Sequence, residues 1–328
     1  YNFILMFKTS EIKPEVIKRI FKENFSKVNA SFLTHQSEFM TGIYGRYFQD
    51  LESANIVLYF AKGVHQSILR QREVDLNYDI SFNNFYENHK KLNQNGFKLI
   101  DVARHSGLPR ETVRRKIAEL IKYKVLKKNN RKIIWDPLIP EKLAYNTLVK
   151  KNIRSLSKLI RDILIFIDNE KSLENIEKEI ENNYSFYWYH YLNTQQNFFR
   201  DWQNNMKDLE LLLIGLECSM LGAQEYSKQK YNFDEIFSKK ITDNKDCTIS
   251  ASSISHITGI PRSTCIRKLS ILMKYKLIKK DTRLRKYYFD FKNYGNSIIN
   301  SKQSNVKIID LYSDFFFVII CALFRKTN

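Results

Sequence analysis

Two stretches of the chain carry side chains suited to gripping a polyanion. Gly107-Leu-Pro-Arg-Glu-Thr-Val-Arg-Arg-Lys116 and Gly259-Ile-Pro-Arg-Ser-Thr-Cys-Ile-Arg-Lys268 each place cations and hydroxyls within about two helical turns of a Gly-x-Pro start. Guanidinium groups donate in a planar fork that matches phosphate oxygens or the edge of a guanine, and an ammonium attracts phosphate as a point charge. The chemistry on offer is therefore binding. The residues that would support bond-making are absent in useful spacing. His35, His65, His89, His105, His190 and His256 are scattered, without metal-ligand spacing. There is no phosphate-cradling Gly-rich loop, no dinucleotide fingerprint and no nucleophile elbow. An enzyme is not expected, nor a cofactor or a metal.

Charge is concentrated in the same places. Residues 97–135 hold twelve Lys/Arg against three acids, and residues 247–289 hold ten against Asp281. Each stretch is thus +9, and together they hold 18 of the formal +19 of the 328-residue chain. A compositional taste for lysine would spread it evenly. A nucleic-acid footprint explains the clustering better than two solvated faces without a partner.

The two stretches are copies at an offset of 152. Between 107–128 and 259–280, twelve of 22 positions are identical, including Lys122-Tyr-Lys124 against Lys274-Tyr-Lys276. Weaker echoes pair Arg46-Tyr-Phe-Gln49 with Arg200-Asp-Trp-Gln203, and Asp162 with Asp314, each of these two acids ahead of an apolar run. Two halves follow, 1–168 and 169–328, joined near Asp168 to Ser172. Their basic modules are expected at about 81–136 and 232–290, with a C-terminal helix at about 303–325.

Only 9 Gly and 5 Pro occur, which favours helices with short connections over a many-stranded sandwich. The expected fold is mainly α with small β-hairpins. Residues 99–106 suit a short helix with Val102 and Ala103 inward, and Gly107 suits the left-handed residue that ends it. Pro109 fits the first turn of the next helix, where a missing N–H costs nothing. Val113, Ile117 and Leu120 form an inward stripe, which leaves Arg110, Thr112, Arg114, Arg115 and Lys116 off it. The second copy repeats this, with Ile254 and Ser255 inward and Cys265, Leu269 and Leu272 as the stripe. Arg262, Ser263, Thr264, Arg267 and Lys268 point out. After each second helix, apolar pairs flank a basic stretch in which Asn129-Asn130 and Asp281-Thr282 can turn a hairpin.

These residues resemble the winged helix-turn-helix domains of bacterial transcriptional regulators of the MarR and GntR kind. The resemblance rests on the Gly-[Leu/Ile]-Pro-Arg-x-Thr pattern followed by a basic hairpin, and covers some 80–90 residues. It implies a sequence-specific double-stranded DNA-binding protein, a transcriptional regulator in which two recognition helices work as an intramolecular pseudo-dimer. Arg110, Arg114, Arg115, Arg262 and Arg267 would contact bases or phosphates. Arg131, Lys132, Arg283, Arg285 and Lys286 would be wing contacts. A replication initiator with two winged helices and a protein-binding scaffold are the alternatives. A small-molecule effector and a homo-oligomer are further partners such a regulator admits.

Outside the modules, Tyr44 to Ile68 and Met206 to Met220 keep a helical period, as long helices that pair with one another would. The aromatic run Tyr184 to Tyr191 suits core packing better than a ligand pocket. Cys218, Cys247, Cys265 and Cys321 lack any C-x-x-C spacing and read as buried free thiols in a reducing compartment. The longest apolar run, 315–324, is about half the ~18 residues a membrane helix needs. Tyr1 to Phe7 is apolar but lacks a basic leader, so no signal peptide is read. A cytoplasmic, nucleoid-associated location is expected.

Overall fold

The computed structural model describes residues 12–75, 78, 81–85, 94–136, 139–167, 171–237, 247–290 and 301–325. The outer parts of the expected modules at 86–93 and 238–246, His89, the apolar start 1–7 and most of the join at 168–170 lie outside them. The fold is mainly helical, with two small antiparallel two-stranded hairpins.

The first elements are α1 (Pro14–Glu23), α2 (Phe25–Arg46), α3 (Leu51–Val74), α4 (Leu99–Ser106) and α5 (Arg110–Lys122). A hairpin, β1 (Leu126–Asn129) and β2 (Lys132–Trp135), and the long α6 (Ile139–Leu164) follow. The chain continues through α7 (Leu173–Asn182), α8 (Tyr184–Met206), α9 (Leu209–Ser227) and the short α10 (Phe233–Phe237). It ends with α11 (Ala251–Thr258), α12 (Arg262–Lys274), β3 (Ile278–Asp281), β4 (Lys286–Phe289) and α13 (Ser301–Arg325).

The long periodic stretches are interrupted. The pattern from Tyr44 to Ile68 spans two helices, because Phe48 and Gln49 turn left-handed (φ 60° and 57°). Asp50 then caps α3 by accepting from the Glu52 N–H at 3.0 Å. Likewise α8 stops at Met206, Lys207 is left-handed (φ 55°), and Asp208 caps α9 through the Glu210 and Leu211 N–H groups. An aspartate at this position satisfies backbone donors the first turn leaves unpaired, so the break is stabilised rather than merely tolerated. Side-chain periodicity survives such a break and does not reveal it.

The described residues fall into two compact units, and each draws on both sequence halves. One unit comprises Arg46–Arg154 and Leu173–Lys207. Here α3 packs along α8 and also supports α4, α5 and β2. Tyr184, Trp188 and Tyr191 of α8 are buried, and Tyr184 lies edge-on to Phe82, Phe85 and His65. The aromatic run is core. Gly63 of α3 leaves the space that the Phe97 ring fills, since a Cβ there would meet the ring at 2.5 Å. Phe97 pairs its backbone with Ile133 of β2 (2.9 and 3.0 Å).

The other unit comprises Tyr1–Gly45, Ser155–Ser172 and Asp208–Asn328. In it α1 packs on α13, while α9 supports α11, α12 and β4. Its centre includes a T-shaped Phe32–Tyr312 pair and Gln36, which donates to the Tyr312 hydroxyl at 2.5 Å. Glu217 of α9 is fully buried, and burial pushes its carboxyl above the ordinary range although the Ser37 hydroxyl donates to it. Cys218 and Cys265 are buried thiols as expected, but Cys247 and Cys321 are only partly covered.

Candidate nucleic-acid interface

The first basic segment is built on the unit that contains α3. Val102, Val113, Ile117 and Leu120 turn inward and are at most 3% exposed. Gly107 ends α4 with φ 72°, where a Cβ would be strained. The Ser106 hydroxyl accepts the Leu108 N–H across the turn at 3.4 Å, and Leu108 is buried. Pro109 stands just before α5 at the capping position, one residue ahead of the expected first turn. Its restricted φ sets the entry angle of the helix. Arg110, Arg114 and Arg115 are then exposed and Thr112 half-buried. Arg114 is engaged by Glu111, whose carboxylate accepts from Nε at 3.0 Å and from Nη2 at 2.5 Å. The hydrogen bond from Arg114 holds the exposed Glu111 carboxyl below its usual range. The hairpin pairs Leu126 with Trp135 and Asn129 with Lys132. Its turn is therefore Asn130-Arg131, one residue later than expected, with Asn130 at φ 53°. Arg131 and Lys132 are exposed at the tip.

The second segment repeats these parts in the unit that contains α9. Gly259 ends α11 at φ 76°, and Ile254, Cys265, Leu269 and Leu272 are fully buried. Thr258 stands where Ser106 stood. Its hydroxyl donates to the Ile254 carbonyl at 2.7 Å and accepts the Ile260 N–H at 3.1 Å. Ile249 pairs with Tyr287 of β4 as Phe97 does with Ile133, at 2.8 Å in both directions. On α12, Arg262, Ser263 and Arg267 are exposed, Thr264 is half-buried, and Arg262 Nε donates to Ser252 Oγ at 3.0 Å. The hairpin pairs Ile278 with Phe289 and Asp281 with Lys286. Four residues, 282–285, form its turn instead of an Asp281-Thr282 corner. Arg283, Arg285 and Lys286 are exposed there.

Two expected outward placements are corrected. Lys116 and Lys268 are only 7% and 5% exposed and do not belong to the outer face. Lys116 Nζ donates to Asp50 and lies 3.0 Å from Glu52 Oε2. Lys268 Nζ donates to Asp208 at 2.5 and 2.7 Å and lies 2.8 Å from Glu210 Oε2. In each unit one lysine thus ties the arginine-bearing helix to the capped start of the helix beneath it. Burial works to lower the Lys116 pKa, but the Asp50 and Glu52 carboxylates outweigh it and hold the value above the ordinary one. Burial likewise works to raise Asp50, and hydrogen bonds from Lys116 and Ser53 overcome it and hold the carboxyl below its usual range. A helical wheel drawn for one helix cannot see these partners, which lie 66 and 60 residues away.

Sequence reasoning also missed a cleft of ≈ 680 Å³, with a mixed polar and apolar lining, beside the turn of the first segment. It is lined by Gly107, Pro109 and Thr112 on one side and by Gln203, Asn204 and Lys207 of the α8 terminus on the other. No signal within 97–135 points to residues from the second half of the chain. His105 packs on Tyr59 with centroids 4.9 Å apart and bonds the Asp101 carbonyl at 2.8 Å, while His256 is exposed. Among the described residues no His/Cys/Asp/Glu cluster could hold a metal ion, and no helix is long and apolar enough to cross a membrane.

No family model, no curated protein and no solved structure matches the chain.

Proposed function

We propose that the chain is a sequence-specific double-stranded DNA-binding protein, a regulator of transcription, built by internal duplication around two winged helix-turn-helix modules. The observation that carries this reading is one order of parts occurring twice. A residue bridged to the far hairpin strand precedes a helix, a left-handed glycine, an arginine-faced helix and a basic hairpin. In a winged helix these are the first strand, the supporting helix, the turn, the recognition helix and the wing. A recognition helix enters the major groove with side chains near its N-terminus reaching base edges. Arg110, Thr112, Arg114 and Arg115 are the candidates on α5, and Arg262, Ser263, Thr264 and Arg267 those on α12. Arg131, Lys132, Arg283, Arg285 and Lys286 serve the wings. Lys116 and Lys268 hold the recognition helices in place and touch no DNA.

Two modules in one chain make an intramolecular pseudo-dimer, whose site has two unequal half-sites. On this reading the protein works in the cytoplasm with the nucleoid. Replication initiation would use the same contacts, and no separate feature of the fold favours it. The test is duplex binding as a function of salt. With ~6–10 phosphate contacts in total, affinity falls ~10³–10⁵-fold between 50 and 200 mM salt. A nearly flat dependence, or salt-insensitive capture of a protein instead of DNA, removes this function.

A further inference from the structure

We propose that the tip of the β3–β4 hairpin enters the minor groove and that Leu284 wedges between base pairs there, bending the DNA at one half-site only. The proposal rests on the DNA-binding reading above and adds what this wing does to its substrate. Leu284 is 54% exposed, a large apolar side chain at the outermost turn of a hairpin. It stands between Arg283 and Arg285, with Lys286 next, and all three cations are exposed. A leucine held between cations suits a surface that is negative at its rim and apolar between stacked bases. The minor groove is such a surface. Arginines are drawn to its potential, and apolar wedges unstack its base steps.

The tip is also held in shape. Asp281 Oδ1 accepts the Leu284 N–H at 2.8 Å, and Arg285 takes the left-handed conformation (φ 55°) that closes the turn. Below it, Tyr287 pairs with Ile249, and Lys279 Nζ reaches Asp290 Oδ1 at 2.8 Å, with Asp290 only 2% exposed. A wedge must be stiff to unstack bases, and these contacts anchor both strands. The first hairpin has a two-residue turn, Asn130-Arg131, with no apolar side chain at its tip. It has charge to follow a groove and nothing to insert.

The test uses the full chain and a duplex recovered by selection from random sequences. Bending is read by energy transfer between dyes on the duplex ends. The wild type should bend the duplex by tens of degrees, within the ~20–90° of wedge-inserting proteins. Leu284→Ser should lose most of the bend and bind about tenfold more weakly, the effect of exposing one leucine side chain. Its urea midpoint should match the wild type, because Leu284 is exposed. Replacing A·T by G·C at the bent step should weaken binding. Inosine·C should restore it, since inosine lacks the guanine amino group that marks G·C in the minor groove. Equal bending by Leu284→Ser and wild type, or equal binding to G·C and inosine·C duplexes, would overturn the wedge while leaving DNA binding intact. A wild type that binds no duplex overturns the underlying reading as well.

Discussion

The two basic segments agree inside and differ outside. Each has a left-handed glycine, an apolar stripe of the same spacing, a hydroxyl across the turn, a bridged hairpin and a buried lysine between two carboxylates. On the exposed faces the second segment carries Ser263 where the first carries Glu111, and Ile266 where the first carries Arg114. The first hairpin turns in two residues and the second in four, with Leu284 at its tip. The contacts that position the helix recur in kind, and the residues that would meet a partner differ. On the DNA-binding proposal, two similar supports with unlike exposed residues suit two unequal half-sites better than a palindrome.

The largest expected effect tests the shared interior. Lys116→Ala and Lys268→Ala each leave two carboxylates without their cation. Breaking a fully buried pair costs ~3–5 kcal/mol, and these carboxylates keep about a quarter of their exposure, so ~2–4 kcal/mol is expected for each. Urea denaturation should give similar losses for both; a cost at only one lysine would end the claim that the interiors are equivalent. The same triad has a pH signature. The folded pKa of Asp50 is depressed, so its contribution is present above the unfolded value near 4 and is lost as pH falls through the lower folded value. Lys116 is raised, so its contribution is present below the unfolded value near 10.4 and is lost as pH rises through the higher folded value. Asp50→Asn should flatten the acid side of a stability–pH curve.

Next come the outer faces. Arg115→Ala and Arg267→Ala occupy equivalent places, and each should cost about 1–3 kcal/mol on the selected site while relaxing specificity at one half-site. Equal losses on selected and random duplexes would show that both arginines touch only phosphate. A subtler change converts one face into the other. Glu111→Ser with Arg114→Ile should shift the base preference of the first half-site towards that of the second, by about 1–3 kcal/mol at the positions read. Selection from random duplexes with the double variant checks it. The smallest effect belongs to the stripe, where Cys265 replaces Val113 and both are fully buried. Cys265→Val changes volume little, so thermal unfolding should register less than ~1.5 kcal/mol.

Much of each segment was legible from local rules. The glycines, the stripes and the arginine faces depend on residues a few positions apart, and there the spacing in sequence is the spacing in space. The weak echo of Arg46-Tyr-Phe-Gln49 in Arg200-Asp-Trp-Gln203 misled. Arg46 ends α2, whereas Arg200 to Gln203 lies within α8, and the capped turns at Asp50 and Asp208 are the places that match.

By itself the sequence determined two basic helix-and-hairpin segments, their hinge glycines and the concentration of charge upon them. Tertiary structure alone decided that Lys116 and Lys268 turn inward, because a lysine's side depends on whether distant carboxylates wait beneath it. It alone decided that Phe97 and Ile249 each bridge the second strand of a hairpin, since one bridged residue has no periodicity to read. It also decided that each compact unit takes helices from both halves of the chain. Apolar faces state only that they must be covered; which helix covers them is settled by the packing of the whole chain.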